Sequence, residues 1–195
     1  MTISPRDKEF ELVKHIRKGD SSAMKDLYNR YIKYLTAVCA RYIINEADLK
    51  DILQESFIKI FTSIDKFEYR GVGSLKAWMA RIVVNESLTF LKKNERFDFV
   101  QNEWDLPDVT NEEDQTPDTD DIPAHVIQEM IRQLPAGYRT VFNLYVFENK
   151  SHKEIASTLN IKENTSASQL HKAKKSLAEK INEYKMTPGI WKKNG

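Results

Sequence analysis

The stretch KSHKEIASTLNIKENTSASQLHKAKK, Lys150–Lys175, decides how the C-terminal part of the chain is read. Ser151 is placed as an N-cap, with Glu154 three residues on, the spacing of a reciprocal capping box. Ile155 and Leu159 then fall on one face of a short helix, with Ala156 small enough to let a neighbour close in. Asn160-Ile161-Lys162 reads as a tight turn, with Ile161 filling the space between two helices. The second helix is expected from about Glu163 into the low 180s, on an apolar stripe of Ala167, Leu170, Ala173, Leu177 and Ile181. Lys162 before it is a poor cap. Its other face offers Thr165, Ser166, Ser168, Gln169, His171, Lys172, Lys174 and Lys175. A narrow apolar stripe backed by small polar and basic side chains suits the DNA major groove. There amides and cations reach base edges, and Lys and Ser reach phosphates. The same pattern also fits the solvated face of an ordinary helical hairpin.

Working outward, the 195 residues carry 41% hydrophobic and 30% charged side chains, with six glycines and six prolines. So few breakers favour long helices in an all-α chain of one or two domains. The single cysteine, Cys39, excludes an internal disulfide and sits in an apolar helical pattern, as an inert core thiol would. No signal peptide and no membrane-length apolar run is visible, so a cytoplasmic protein without membrane insertion is expected. The net charge of +1 averages segments of opposite sign. Lys150–Lys185 holds eight lysines against four glutamates, whereas Glu95–Asp121 holds eleven acids against Arg96 alone. Weak DNA binding by the isolated chain follows, because nonspecific affinity comes from phosphate neutralisation.

The N-terminal part reads as four helices. Residues 5–18 are amphipathic through Phe10, Val13 and Ile16, and Gly19 closes them. Asp20 caps a second helix striped by Leu27, Tyr31, Leu35 and Val38, which breaks at Asn45. The third, through Leu49, Ile52, Leu53, Phe57, Ile60, Phe61 and Ile64, has the strictest helical spacing in the chain. Its other face bears Asp48, Asp51, Gln54, Glu55 and Lys59. No His or Cys stands at ligand spacing there, so no metal site is expected. A solvated face or a protein-docking face remain. KFEYRGVGS, residues 66–74, is a Gly- and aromatic-containing loop. Ser74 caps the fourth helix, where Leu75, Trp78, Ile82 and Leu88 or Phe90 face inward and Arg81, Asn85, Lys92, Lys93 and Arg96 do not. Such a loop beside a basic helix can serve single-stranded nucleic acid by stacking and phosphate contact, although Phe67 and Trp78 also fit a core. The acidic, aperiodic segment 97–122 reads as a flexible linker between domains at 1–96 and 123–185, followed by a tail at 186–195.

Three motifs in this order resemble bacterial RNA polymerase sigma factors of the sigma-70 family. DILQESFIKIF resembles the D-x-x-Q-E-x-F signature, FEYRGVGSLKAWMARIVVNESLTFLKK the promoter-opening region, and LPAGYRTVFNLYVFENKSHKEIASTLNIKENTSASQLHKAKKSL the C-terminal helix-turn-helix domain. Two domains joined by an acidic linker resemble the small extracytoplasmic-function (ECF) group, over residues 20–182. The resemblance implies two small helical domains, one like sigma region 2 and one like region 4. It implies core RNA polymerase and promoter DNA as partners, an anti-sigma factor as a further partner, and neither cofactor nor catalysis. Asp51, Gln54 and Glu55 match positions that dock on the polymerase clamp helices. Phe67, Tyr69 and the loop from Arg70 to Ser74 match the segment that captures an unstacked −10 base. Arg81, Asn85, Lys92 and Lys93 lie on the helix that faces promoter DNA. Thr165, Ser166, Ser168, Gln169, His171, Lys172 and Lys175 lie on the helix that enters the −35 major groove. The acidic linker matches the segment that threads the RNA path. Lys172, Lys174 and Lys175 stand where relatives often carry Arg, which changes guanine readout because Lys lacks the bidentate fork. The rival readings are a stand-alone helix-turn-helix regulator, a polymerase-binding inhibitor without promoter recognition and, more remotely, a helical metal-carboxylate enzyme.

Overall fold

The computed structural model describes residues 5–94 and 119–186. Most of the linker 97–122 and the tail beyond Met186, including Trp191, therefore lie outside the described residues. Every regular element among the described residues is helical: α1 (Pro5–Arg17), α2 (Ser21–Ala40), α3 (Glu46–Ser63), a 3₁₀ turn (Ile64–Lys66), α4 (Ser74–Lys93), α5 (Ala124–Arg132), α6 (Ala136–Val146), α7 (His152–Leu159) and α8 (Glu163–Met186). They fall into two compact units, one within Met1–Asn94 and the other within Glu95–Gly195.

In the first unit α2, α3 and α4 pack on one another, and α1 packs on α2 and the 3₁₀ turn. The starts of two helices follow from local chemistry. The Asp20 carboxylate accepts from Ser22 N and Ala23 N, and the Asn45 side chain accepts from Ala47 N and Asp48 N. Asn45 thus starts α3, but it does not break α2 as expected: α2 already ends at Ala40, where Arg41 caps it. The core joins Leu27, Leu35 and Val38 of α2, Ile52, Leu53 and Ile60 of α3, and Leu75, Met79 and Val83 of α4, each nearly inaccessible to water. The inward face of α4 is Leu75, Met79, Val83, Leu88 and Leu91, with Trp78, Ile82 and Phe90 only half-buried on its flank. Helix α4 packs against both α2 and α3, so its buried arc is centred on Met79 and Val83. Cys39 is a core thiol, 3.6 Å from the Ser87 hydroxyl, and burial pushes its pKa up.

In the second unit α8 packs along α6, with α5 and α7 also against it. Ile122, Val126, Met130 and Leu134 meet Ala173, Leu177 and Ile181 in its core. Arg139 is buried inside α6 and donates from Nη1 to the carbonyls of Arg132 (3.1 Å) and Leu134 (2.8 Å), satisfying the end of α5. Burial, then the neighbouring Arg132 charge, lowers its pKa.

Helix α7 starts on the capping box expected from sequence: the Ser151 hydroxyl accepts from Glu154 N, and Ser151 N donates to the Glu154 carboxylate (2.8 Å). The Ser151 backbone N–H, then its hydroxyl, hold this carboxyl below its ordinary pKa. A depressed folded pKa stabilises only the ionised form. The contribution is therefore complete above the unfolded value of about pH 4.3 and is lost as pH falls through the folded value. Acidification should lower the protection of the Ser151 and Glu154 amides, measured as exchange relative to the free-chain rate at the same pH, over that window. In Glu154→Gln that pH dependence should vanish.

Candidate polymerase and nucleic-acid interfaces

The outward face of α3 holds Asp51, Gln54 and Glu55, all exposed, at the i, i+3, i+4 spacing that makes one patch. Ile58 extends the row by a turn and is 51% exposed. Ile58 was not among the candidates from sequence. The signal was present: it lies between Phe57 and Ile60 but off the stripe that the other apolar residues share. The patch combines carboxylates with an apolar side chain left to water, the composition of a docking face with a core and a charged rim.

At the far end of α3 the chain turns into the loop Phe67–Gly73. Gly71 (φ 123°) and Gly73 (φ 85°) hold left-handed backbone that other residues adopt only with strain. Ser74 does not cap α4 as expected. Gly73 occupies the N-cap position, while the Ser74 hydroxyl donates to Gly71 O (2.7 Å) and accepts from Arg70 N (3.2 Å), closing the loop on itself. The loop presents Arg70 and Val72 to solvent, Val72 at 66% exposure. Phe67 is displaced from its expected role. It is buried, with its ring 5.3 Å from that of Trp78, because the loop folds back over the α3–α4 junction and needs an apolar plug there. As placed, Phe67 offers no face to a base. Tyr69 is half-buried edge-on against Phe10 of α1 (5.9 Å, 68°), and a cleft of about 600 Å³ opens between α1 and the loop.

On α4 the expected nucleic-acid residues Arg81, Asn85, Lys92 and Lys93 are all exposed, and Arg81, Asn85 and Lys92 form a stripe at i, i+4, i+11. The acidic face of α3 and the basic face of α4 therefore belong to one rigid unit. Lys59 of α3 pairs with Glu86 of α4 and links the two helices.

In the second unit α7 and α8 form the helix-turn-helix, with Asn160 in left-handed backbone (φ 58°, ψ 49°) at the turn. The inner arc of α8 is wider than its apolar stripe. Ser166 and Gln169 are buried with Leu170, Ala173, Leu177 and Ile181, because α6 and α7 both pack against α8. The Ser166 hydroxyl lies 3.0 Å from His152 Nδ1 of α7, and the His152 ring stacks on Tyr145 of α6 (5.0 Å). Neither Ser166 nor Gln169 can reach a base edge from there, which corrects the expectation for both. The residues left outward are Asn164, His171 and Lys175, with Thr165, Ser168 and Lys172 half-exposed. Asn164, Ser168, His171 and Lys175 share one stripe. Asn164 escaped the sequence reading because it precedes the basic run, although the first turn of a recognition helix is where base contacts concentrate.

Gln169 Oε1 is shielded from water and has no hydrogen-bond partner among the described residues. A buried unmet acceptor costs about 1–3 kcal/mol. Gln169→Met, close in volume, should therefore raise the melting temperature of the chain and leave DNA sequence preference unchanged. Selection of bound sequences from a random pool, with and without the substitution, tests this.

Comparison with known proteins agrees with this architecture. Residues 27–97 match the family model for sigma-70 region 2, and residues 124–177 match that for sigma-70 region 4. The ECF RNA polymerase sigma-E factor of Haemophilus influenzae is 28% identical over 179 residues, covering 87% of this chain and 93% of that protein. The ECF RNA polymerase sigma factor SigW of Bacillus subtilis is 26% identical over 178 residues, 87% of this chain and 94% of SigW. A solved structure of CnrH in complex with the cytosolic domain of CnrY aligns over 88% of this chain at 17% identity and a TM-score of 0.43, too loose a likeness to carry weight. The chain belongs to the sigma-70 family of RNA polymerase sigma factors, and the two relatives named above are extracytoplasmic-function sigma factors. The two units correspond to the family's regions 2 and 4, and nothing in the comparisons favours a stand-alone regulator.

Among the described residues, no helix is long and apolar enough to cross a membrane.

Proposed function

We propose that this sigma factor brings core RNA polymerase to promoters by docking through Asp51, Gln54, Glu55 and Ile58 of α3. Arg81, Asn85, Lys92 and Lys93 of α4 face the −10 region, and the loop Tyr69–Gly73 takes an unstacked base. Asn164, Ser168, His171, Lys172 and Lys175 of α8 face the −35 major groove. The supporting observation is the segregation of charge on one rigid unit, with an acidic and apolar face on α3 and a basic stripe on α4. A single body can thus touch a protein and a polyanion at once.

The mechanism needs no bond chemistry from the chain. Docking converts two weak DNA contacts into one strong one, because a tethered contact acts at high effective concentration. Strand opening then requires that an unstacked base be held more tightly than its stack holds it, a difference of a few kcal/mol. Phe67 contributes by fixing the loop from below, with Tyr69 and Arg70 left to meet the base and its phosphate. The acidic linker threads the RNA path of polymerase, and an anti-sigma factor would act by covering one of these exposed faces. The site of action is the cytoplasm.

Photo-crosslinking in the reconstituted holoenzyme tests the assignment. A benzophenone side chain at Asn164 or His171 should label the upstream element, and one at Tyr69 should label the opened strand. Label exchanged between the two, or confined to polymerase, would refute it.

A further inference from the structure

Helix α1 precedes the region matched to the family, and no role has been given to it. Its side chains nevertheless converge on the loop that takes the base. Arg17 donates to the carbonyls of Ile64 (3.3 Å) and Asp65 (3.4 Å), and from the same Nη2 to Phe67 O. Glu9 bridges in the other direction, accepting from Gly73 N through Oε2 (3.2 Å) and from the Tyr31 hydroxyl of α2 through Oε1 (3.0 Å). Phe10 packs edge-on against Tyr69 between them. These contacts grip the loop at both ends and in the middle. Tyr31 is buried, and burial, then its bond to Glu9, pushes its pKa up to about 12, so the phenol remains a donor throughout the physiological range.

We infer that α1 is a brace for promoter opening, with Glu9 and Arg17 as positioning residues that hold the loop in its base-receiving shape before DNA arrives. The inference rests on the reading of Tyr69–Gly73 as the capture loop. Physically, a loop ordered in advance loses little conformational freedom on binding, whereas one ordered by the DNA must lose it at the moment of opening. The Ser74 hydroxyl closes the turn on itself, and the bonds from Arg17 to Phe67 O and from Glu9 to Gly73 N tie that closed turn to α1. The device also links the loop to α2 through Tyr31, so the loop keeps its position relative to the bundle that carries the polymerase-docking face.

The test uses full-length variants in holoenzyme on two templates: a duplex promoter, and the same promoter premelted by mismatches over the opened segment. Arg17→Met removes the donors. Glu9→Gln leaves one acceptor oxygen where the bridge needs two. Each should lower permanganate reactivity of the opened strand and run-off yield on the duplex by about tenfold, equivalent to ~1.4 kcal/mol. On the premelted template each should stay within about twofold of wild type, with unchanged affinity for core polymerase. A merely structural role would depress both templates alike, and that result overturns the inference, as does full activity of both variants on the duplex. If Arg17→Met fails to fold, Glu9→Gln alone decides between these outcomes. Tyr69→Ala separates the layers. If it impairs duplex opening while the α1 variants do not, only the brace fails. If it too has no effect, the capture-loop reading fails with it.

Discussion

Reversing charge on α3, with Asp51→Arg and Glu55→Arg together, should weaken binding to core RNA polymerase by about a hundredfold or more, since loss of a desolvated charge pair costs 2–5 kcal/mol and inversion adds repulsion. The fold should be indifferent. Both side chains are exposed, so neither contributes to the core. Arg is also a good helix former, and the i, i+4 pair exchanges one like-charge repulsion for another. Competition against a labelled wild-type sigma for core enzyme measures the loss, and circular dichroism melting should show a midpoint within a few degrees of wild type. Ile58 separates the two components of the face. Ile58→Ser should weaken binding by an amount that salt does not change, whereas the charge reversal should fade at high ionic strength. Unchanged competition by the double variant would move the docking face elsewhere.

The second large effect concerns α8. Lys172→Glu with Lys175→Glu should lower holoenzyme affinity for promoters that depend on the −35 element by about a hundredfold at moderate salt. Each lysine neutralises a phosphate in the proposed geometry, and the dependence of log affinity on log salt should fall by about 0.9 per contact removed. The loss should be nearly equal across sequences, because lysine at a phosphate positions the helix without reading bases. His171→Ala and Asn164→Ala should behave differently, changing which bases are preferred at single positions by about 1–3 kcal/mol each. A uniform loss from all four substitutions would leave α8 a phosphate clamp without readout.

What could be read from the sequence divides by distance along the chain. Caps at Asp20 and Ser151 act within three residues, so residue type and spacing sufficed. The buried stripe Leu27, Tyr31, Leu35, Val38 and the strict spacing of α3 were legible because one helix surface has one period. Errors arose where a second element intervened. Ser166 and Gln169 look like DNA readers by type, but α6 and α7 cover the arc on which they lie. Phe67 looks like a stacking ring in a loop, but the loop folds it onto Trp78. Ser74 looks like a cap, but an adjacent glycine in left-handed backbone takes that position and frees the hydroxyl to close the turn. The bonds from Arg17 to the loop and from Glu9 to Gly73 span about fifty to sixty residues, and no local pattern announces them.

The most direct test of the central claim is to reconstitute the full-length chain with core RNA polymerase on fragmented genomic DNA and sequence the 5′ ends of the transcripts. The expected result is initiation at a defined set of sites sharing two upstream sequence elements at fixed spacing, abolished by Asp51→Arg with Glu55→Arg. Transcripts no different from those of core enzyme alone would contradict it.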